Sequence, residues 1–252
     1  MKRSLLAILI SVATACGAED TPGRRVEGTL SFATANAGTR SWALANGWTL
    51  RLEEAVVLLG PLYLRPPKRA SSALSALFSR AHAHSQTLVD GDVMGEYLTQ
   101  VAFDVLGPEL STGMLVSEAG PLDRLSIVLD APQAPDAQSR AHGYHAYARG
   151  EATRGTERVA FACGMRIDAS APDMPKNLEA RRRVDNVTVA SALPMDDGAH
   201  LRVWLHPERW FEFVSFDDFR GLDNPCAQEG SSFALQWYLG LRRPDAFRAE
   251  LN

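Results

Sequence analysis

Short windows in which apolar and polar residues alternate recur along most of the chain, and they constrain its fold more than any other feature. Val26-Glu27-Gly28-Thr29-Leu30-Ser31-Phe32 is the first, and Trp48-Thr49-Leu50-Arg51-Leu52 the second. Further windows run over Arg124–Leu129, Val184–Val189 and His200–Leu205. A period of two, with β-branched and aromatic residues bounded by Gly, Pro, Asp and Asn, is the pattern of a strand with one face buried. Its density predicts an all-β fold, a single antiparallel β-sandwich domain over residues 26–252. Ala55 to Leu64 is apolar throughout but broken by Gly60 and Pro61, which predicts a pair of buried strands.

The first fifteen residues do not belong to that pattern. Lys2 and Arg3 precede an apolar run from Leu5 to Ile10, and small residues follow up to Cys16. A basic start, a short hydrophobic core and a small-residue cleavage region make a secretory signal, too short to span a bilayer. A cysteine directly after the small residues predicts a lipoprotein leader, 1–15, with acylation at Cys16, although Ala13 stands where that motif more often has leucine. Residues 16–25 are small, polar and proline-broken, as a lipidated tether should be. Gly17 after the acylated cysteine points to the outer membrane, facing the periplasm, in a Gram-negative cell.

Export changes how charge and cysteine are read. Lys2 and Arg3 leave with the leader, so 24 basic residues face 30 acidic ones in the mature chain. Phosphate backbones demand a basic face, so nucleic acid is excluded as a partner. The partners expected are the membrane, through the lipid, and an envelope protein. In an oxidising compartment Cys163 and Cys226 are expected to pair. Two other segments read as non-strand: Ser71–Ala83 as a loop insertion, and Ser231–Leu239 as a short C-terminal helix with serine caps and Gly240 at its stop. Ala246–Leu251 returns as a last strand. Arg181-Arg182-Arg183 reads as a guard on a strand edge. Trp204 is expected in the core, and Trp210 to Phe219 as a hydrophobic plug or, alternatively, a docking platform for a sugar, peptide or partner protein.

Any chemistry is expected at the histidines. His82 and His84 stand two apart in an alanine-rich stretch, which in an extended segment turns both imidazoles to one side, as Cu or Zn coordination requires. His142 and His145 could add nitrogen ligands if the chain turns at Gly143, and Asp104 or Asp92 could add oxygen. His200 and His206 read as residues at the ends of a strand. The chain contains no Gly-x-Ser-x-Gly elbow, His-Glu-x-x-His helix or phosphate loop. A binding protein for a d-block metal is the leading expectation, with a partner-docking lipoprotein without metal as the alternative.

The run Gly47–Leu64, the stretch Gly91-Asp92-Val93-Met94-Gly95 and the segment Phe103–Pro108 resemble uncharacterised exported lipoproteins of GC-rich, myxobacterial-type genomes. That resemblance implies an exported β lipoprotein and carries no activity with it. The Trp- and Tyr-rich opening and the histidines are also similar, remotely, to periplasmic copper-binding β-sandwich proteins of the methanobactin-associated type, which would imply copper.

Overall fold

A computed structural model describes residues 24–35, 38–67, 93–167, 177–191, 193–226 and 231–252. The strands are β1 (Arg25–Thr34), β2 (Ser41–Ala43), β3 (Thr49–Arg65), β4 (Gly95–Tyr97), β5 (Val101–Asp104), β6 (Leu110–Glu118) and β7 (Arg124–Leu129). A short helix α1 (Pro135–Arg140) precedes β8 (Ala146–Arg154) and β9 (Glu157–Met165), and α2 (Leu178–Arg182) precedes β10 (Arg183–Ser191) and β11 (His200–Leu205). Then come α3 (Pro207–Trp210), a 3-10 turn at Phe216–Phe219, α4 (Ser232–Leu241), a 3-10 turn at Pro244–Ala246, and β12 (Phe247–Leu251). The all-β expectation holds, and the five alternating windows lie on strands, save Trp48, which directly precedes β3.

Among the described residues every strand belongs to one mixed sheet, in which eight close a circuit: β3, β4, β6, β1, β11, β12, β10, β7 and back to β3. The closing contact is short. β4 pairs with β3 at Leu62↔Tyr97 and Leu64↔Gly95, and with β6 at Gly95↔Ser117 and Glu96↔Val116. The purely antiparallel expectation needs correction at two places, because β1 runs parallel to β11 and β10 parallel to β12. The reason is topological. β10 and β11 run in opposite directions, so β12, inserted between them, is parallel to one and antiparallel to the other.

β3 organises the molecule. Ala55–Leu64 is not a strand pair but part of one strand that continues through Gly60-Pro61, a cis peptide bond. Its second half lies in the circuit beside β7 and β4. Its first half leaves the circuit and forms a wing with β2, β5 and β8, extended by β9. Gly60 has φ 120, and a β-carbon there would stand 2.6 Å from the Thr99 carbonyl, so only glycine fits the point where β3 changes neighbours.

The core follows the alternation. Leu30 and Phe32 of β1, Leu50 and Leu52 of β3, Leu125 and Ile127 of β7, and Leu201, Val203 and Leu205 of β11 are buried. Each buried aliphatic side chain of this size contributes roughly 1.5–3 kcal/mol. A second layer covers the wing. Phe161 on β9 lies 5.3 Å from Phe211 and from Phe233, centroid to centroid, and Phe211 stacks on Trp237 at 5.8 Å. Trp210, Phe211, Phe216 and Phe219 are buried, so the segment 210–219 is the plug. Within it only Phe213, of the aromatic rings, is exposed, at 50%.

Three local expectations need restating. α4 begins as expected, with the Ser231 hydroxyl accepting from the Ala234 N–H. Gly240 does not stop it; the helix runs on to Leu241 and Arg242 caps it. Trp204 is only partly buried on the outer side of β11, where the Arg202 guanidinium lies 5.3 Å from its ring. In the arginine cluster Arg181 is buried, at 3% exposure, its carbonyl accepting from the Tyr238 hydroxyl at 2.8 Å. Arg183 pairs with Asp185 at 2.8 Å. Both positions belong to the packed interior and its polar lining more than to an edge guard.

Candidate functional site

The paired cysteines meet. Cys163 on β9 is bonded to Cys226, with α-carbons 5.2 Å apart across a sequence separation of 63. The bridge ties the wing to the segment that follows the aromatic plug. Closing a loop of that length stabilises the fold by about 3–4 kcal/mol in the chain-entropy account.

Among the described residues the histidines do not form one centre. His82, His84 and Asp92, like the acylation site Cys16, lie outside the described residues. α1 ends in a turn at His142 (φ 52) and Gly143 (φ 81), so the chain does turn where the sequence suggested. That turn separates the two histidines rather than joining them. His142 faces outward from the wing, its Nε2 2.7 Å from Glu54 Oε1 and its ring 4.1 Å from that of Tyr147. His145 is buried, at 6% exposure, and its Nδ1 accepts from the Ile167 N–H at 3.4 Å. Asp104 is exposed and spends Oδ1 on the Leu106 N–H at 3.0 Å. Among the described residues no group of three or more His, Cys, Asp and Glu side chains could hold a metal ion. His142, His145 and Asp104 therefore do not constitute a ligand set together.

His142 and His145 both lie beside the middle of β3: His142 contacts Glu54, and the His145 carbonyl accepts from the Leu58 N–H at 2.9 Å.

A polar cluster that the sequence reading passed over lies on the outer side of the circuit. β1 and β11 are parallel in the register Thr29↔His200 and Ser31↔Arg202, which aligns two hydroxyls with an imidazole and a guanidinium. Thr29 Oγ1 lies 2.8 Å from His200 Nδ1, and Ser31 Oγ lies 3.0 Å from His200 Nε2. Ser31 donates to Glu109 Oε1 at 2.6 Å, and Arg202 Nε donates to the same oxygen at 2.9 Å. Ser31 has one proton and gives it to Glu109, so His200 Nε2–H donates to Ser31, while Nδ1 shares a hydrogen bond with the Thr29 hydroxyl. The chain of bonds runs Thr29, His200, Ser31, Glu109, with Arg202 closing it. The Ser31 hydrogen bond, with Arg202 and His200 assisting, holds the Glu109 carboxyl below its ordinary range. This is not a nucleophile with its base: the imidazole faces Ser31 as a donor, and Ser31 has no exposed surface. The signal that could have found it is the matching i, i+2 spacing in Thr29/Ser31 and His200/Arg202, which needs the parallel register to be recognised.

A third feature is a cleft of about 410 Å³ between β5, the start of β6 and α1. Its rim is fixed by the buried Asp130, whose Oδ2 accepts from Gln100 at 2.8 Å and from Gln133 at 2.6 Å. A smaller cleft of about 260 Å³, lined in part by Glu53, Arg149 and Glu151, lies on the wing.

No helix among the described residues is long and apolar enough to cross a membrane. No family model matches the chain, and no curated protein or solved structure matches it; the fold and the groups described above are what bear on its function.

Proposed function

We propose that the chain is an exported, lipid-anchored envelope protein that binds rather than catalyses, and that His82 and His84 take a d-block ion, copper or zinc. What supports the reading is the two-residue spacing of the histidines in an alanine-rich stretch, which in an extended segment would turn both imidazoles to one side. Asp90, Asp92 and Glu96, the last exposed on β4, are the nearest carboxylates in sequence to complete the ligand set. The leader pattern and the Cys163–Cys226 bridge support export into an oxidising compartment. Acylation of Cys16 would attach the protein to the outer membrane.

Elemental analysis of the protein recovered from a periplasmic host, followed by calorimetric titration with Cu²⁺ and Zn²⁺, tests the metal. Near-stoichiometric metal that disappears in His82→Ala/His84→Ala and persists in His142→Ala is the expected result. A protein that ignores both ions, or whose affinity is unchanged in the double variant, sinks the reading. Cys16→Ser tests the anchor separately: the protein should move from the membrane fraction to the soluble periplasm.

The alternative of a partner docked on the aromatic segment has less support, because Trp210, Phe211, Phe216 and Phe219 are buried and Phe213 alone of its rings is exposed.

A further inference from the structure

We infer that the gap between β5 and β6 receives an extended segment of a partner polypeptide by strand addition. β4 and β5 together face β3 as one interrupted strand, with Leu64↔Gly95 at one end and Val56↔Asp104 at the other. β6 is the return strand of the same hairpin, yet it pairs with this strand only at Gly95↔Ser117 and Glu96↔Val116. Beyond that point the hairpin forks. β5 pairs with β3 alone, and the start of β6 pairs with β1 alone.

Two irregularities cause the fork. β6 carries an extra residue against β1, since Thr29↔Met114 is followed by Ser31↔Ser111. Thr112 Oγ1 fills the bulge by donating to the Leu30 carbonyl at 2.9 Å. Such a bulge bends the strand that holds it and strengthens its twist. Opposite, the break at Leu98–Gln100 matches the change of register at Gly60-Pro61 of β3. The cleft of about 410 Å³ fills the space so opened.

The chemistry of its walls selects the occupant. The Leu58 N–H donates to His145 and its carbonyl accepts from Asp130, both on the β8/β7 side. Leu58↔Ala102 is therefore a non-hydrogen-bonded pair, and the Ala102 N–H and C=O face the cleft. The facing edge of β6 at Ser111–Gly113 carries no charged side chain and no proline, the devices that usually protect an open edge. Continuing the hairpin register places Leu98 opposite Met114 at the fork, and these apolar side chains are 63% and 55% exposed. The Asp130–Gln100–Gln133 bonds lock the rim in place. Backbone donors and acceptors along the walls, with apolar anchors at the mouth and Asp136 and Arg140 of α1 on the third side, are met by one kind of ligand: an extended strand of about five residues, roughly 16 Å long.

The test uses the full exported chain and a capped alternating Val-Thr hexapeptide, followed by amide hydrogen exchange. Addition of the peptide should slow exchange at Ala102 and across Ser111–Gly113 at least tenfold, and a backbone N-methylated form of the same peptide should not. Leu98→Ser/Met114→Ser should weaken the peptide at least tenfold while leaving the melting temperature within a degree or two. The inference is overturned if millimolar peptide leaves those amides unchanged, or if the methylated peptide protects them equally. Concentration-dependent protection without any peptide would make a second copy of the chain the occupant, and would overturn it too.

Discussion

Gly240 of α4 lies directly against the carbonyl of Trp210 at the end of α3: a β-carbon on Gly240 would stand 2.1 Å from that oxygen. Two short helices can approach this closely only because one of them presents bare backbone. Gly240→Ala should therefore force α4 away from α3 and disturb the aromatic plug, at a cost of roughly 1–3 kcal/mol, although alanine is the better helix former. Chemical denaturation of the two proteins checks this, and equal midpoints would refute it.

The plug predicts a contrast between neighbours. Trp237 is fully buried and stacked on Phe211, so Trp237→Ala should cost about 3–5 kcal/mol. Phe213 is 50% exposed, with Arg243 lying 5.1 Å from its ring, so Phe213→Ala should stay within roughly 1 kcal/mol of the parent. Thermal melts of both variants decide the matter.

Cys163→Ala/Cys226→Ala should lose about 3–4 kcal/mol. The same loss should follow reduction of the parent protein, and a reductant should leave the double variant unmoved. A parent whose melting is indifferent to reductant would contradict the bridge.

Glu109 gives a pH dependence with a defined sign. Its folded carboxyl titrates below the ordinary range, held down first by Ser31 and then by Arg202 and His200. A depressed folded pKa means that the contribution is complete above the unfolded value, near 4.3, and is lost as pH falls through the folded one. Glu109→Gln should flatten the stability curve of the protein below about pH 4.5 and leave its shape unaltered above that value. Denaturant midpoints collected between pH 3 and 7 read it directly.

The alternating windows carried the strands well because burial on one face leaves a period-two mark: His200–Leu205 is β11 to the residue, and Arg124–Leu129 is β7. Ser231 was equally legible, since a capping hydroxyl acts within a few residues of its own position. Gly60-Pro61 was misread because glycine and proline usually end a strand, whereas here Thr99 of a neighbouring segment crowds the glycine and the strand changes partners without stopping. Gly240 misled for the same reason, its role being set by Trp210, thirty residues earlier. The parallel pairing of β1 with β11, and with it the Thr29–His200–Ser31–Glu109 chain, depends on topology that no local pattern encodes. The disulfide was legible from composition alone. The separation of His142 from His145 was not: a turn at Gly143 was one condition for bringing them together, but the side of the sheet on which each ring lands depends on how α1 packs on Val56 and Leu58.

β12 fills the place between β10 and β11, pairing Val189↔Ala249 on one side and Val203↔Ala249 on the other. Every other strand of the circuit precedes it in the chain. During synthesis, or passage through a membrane pore, the ring must wait for residues 247–251 before it can shut, and until then β10 and β11 each present a bare edge. A ring built this way cannot close before residues 247–251 are in place, which puts the risk of aggregation in the interval before closure.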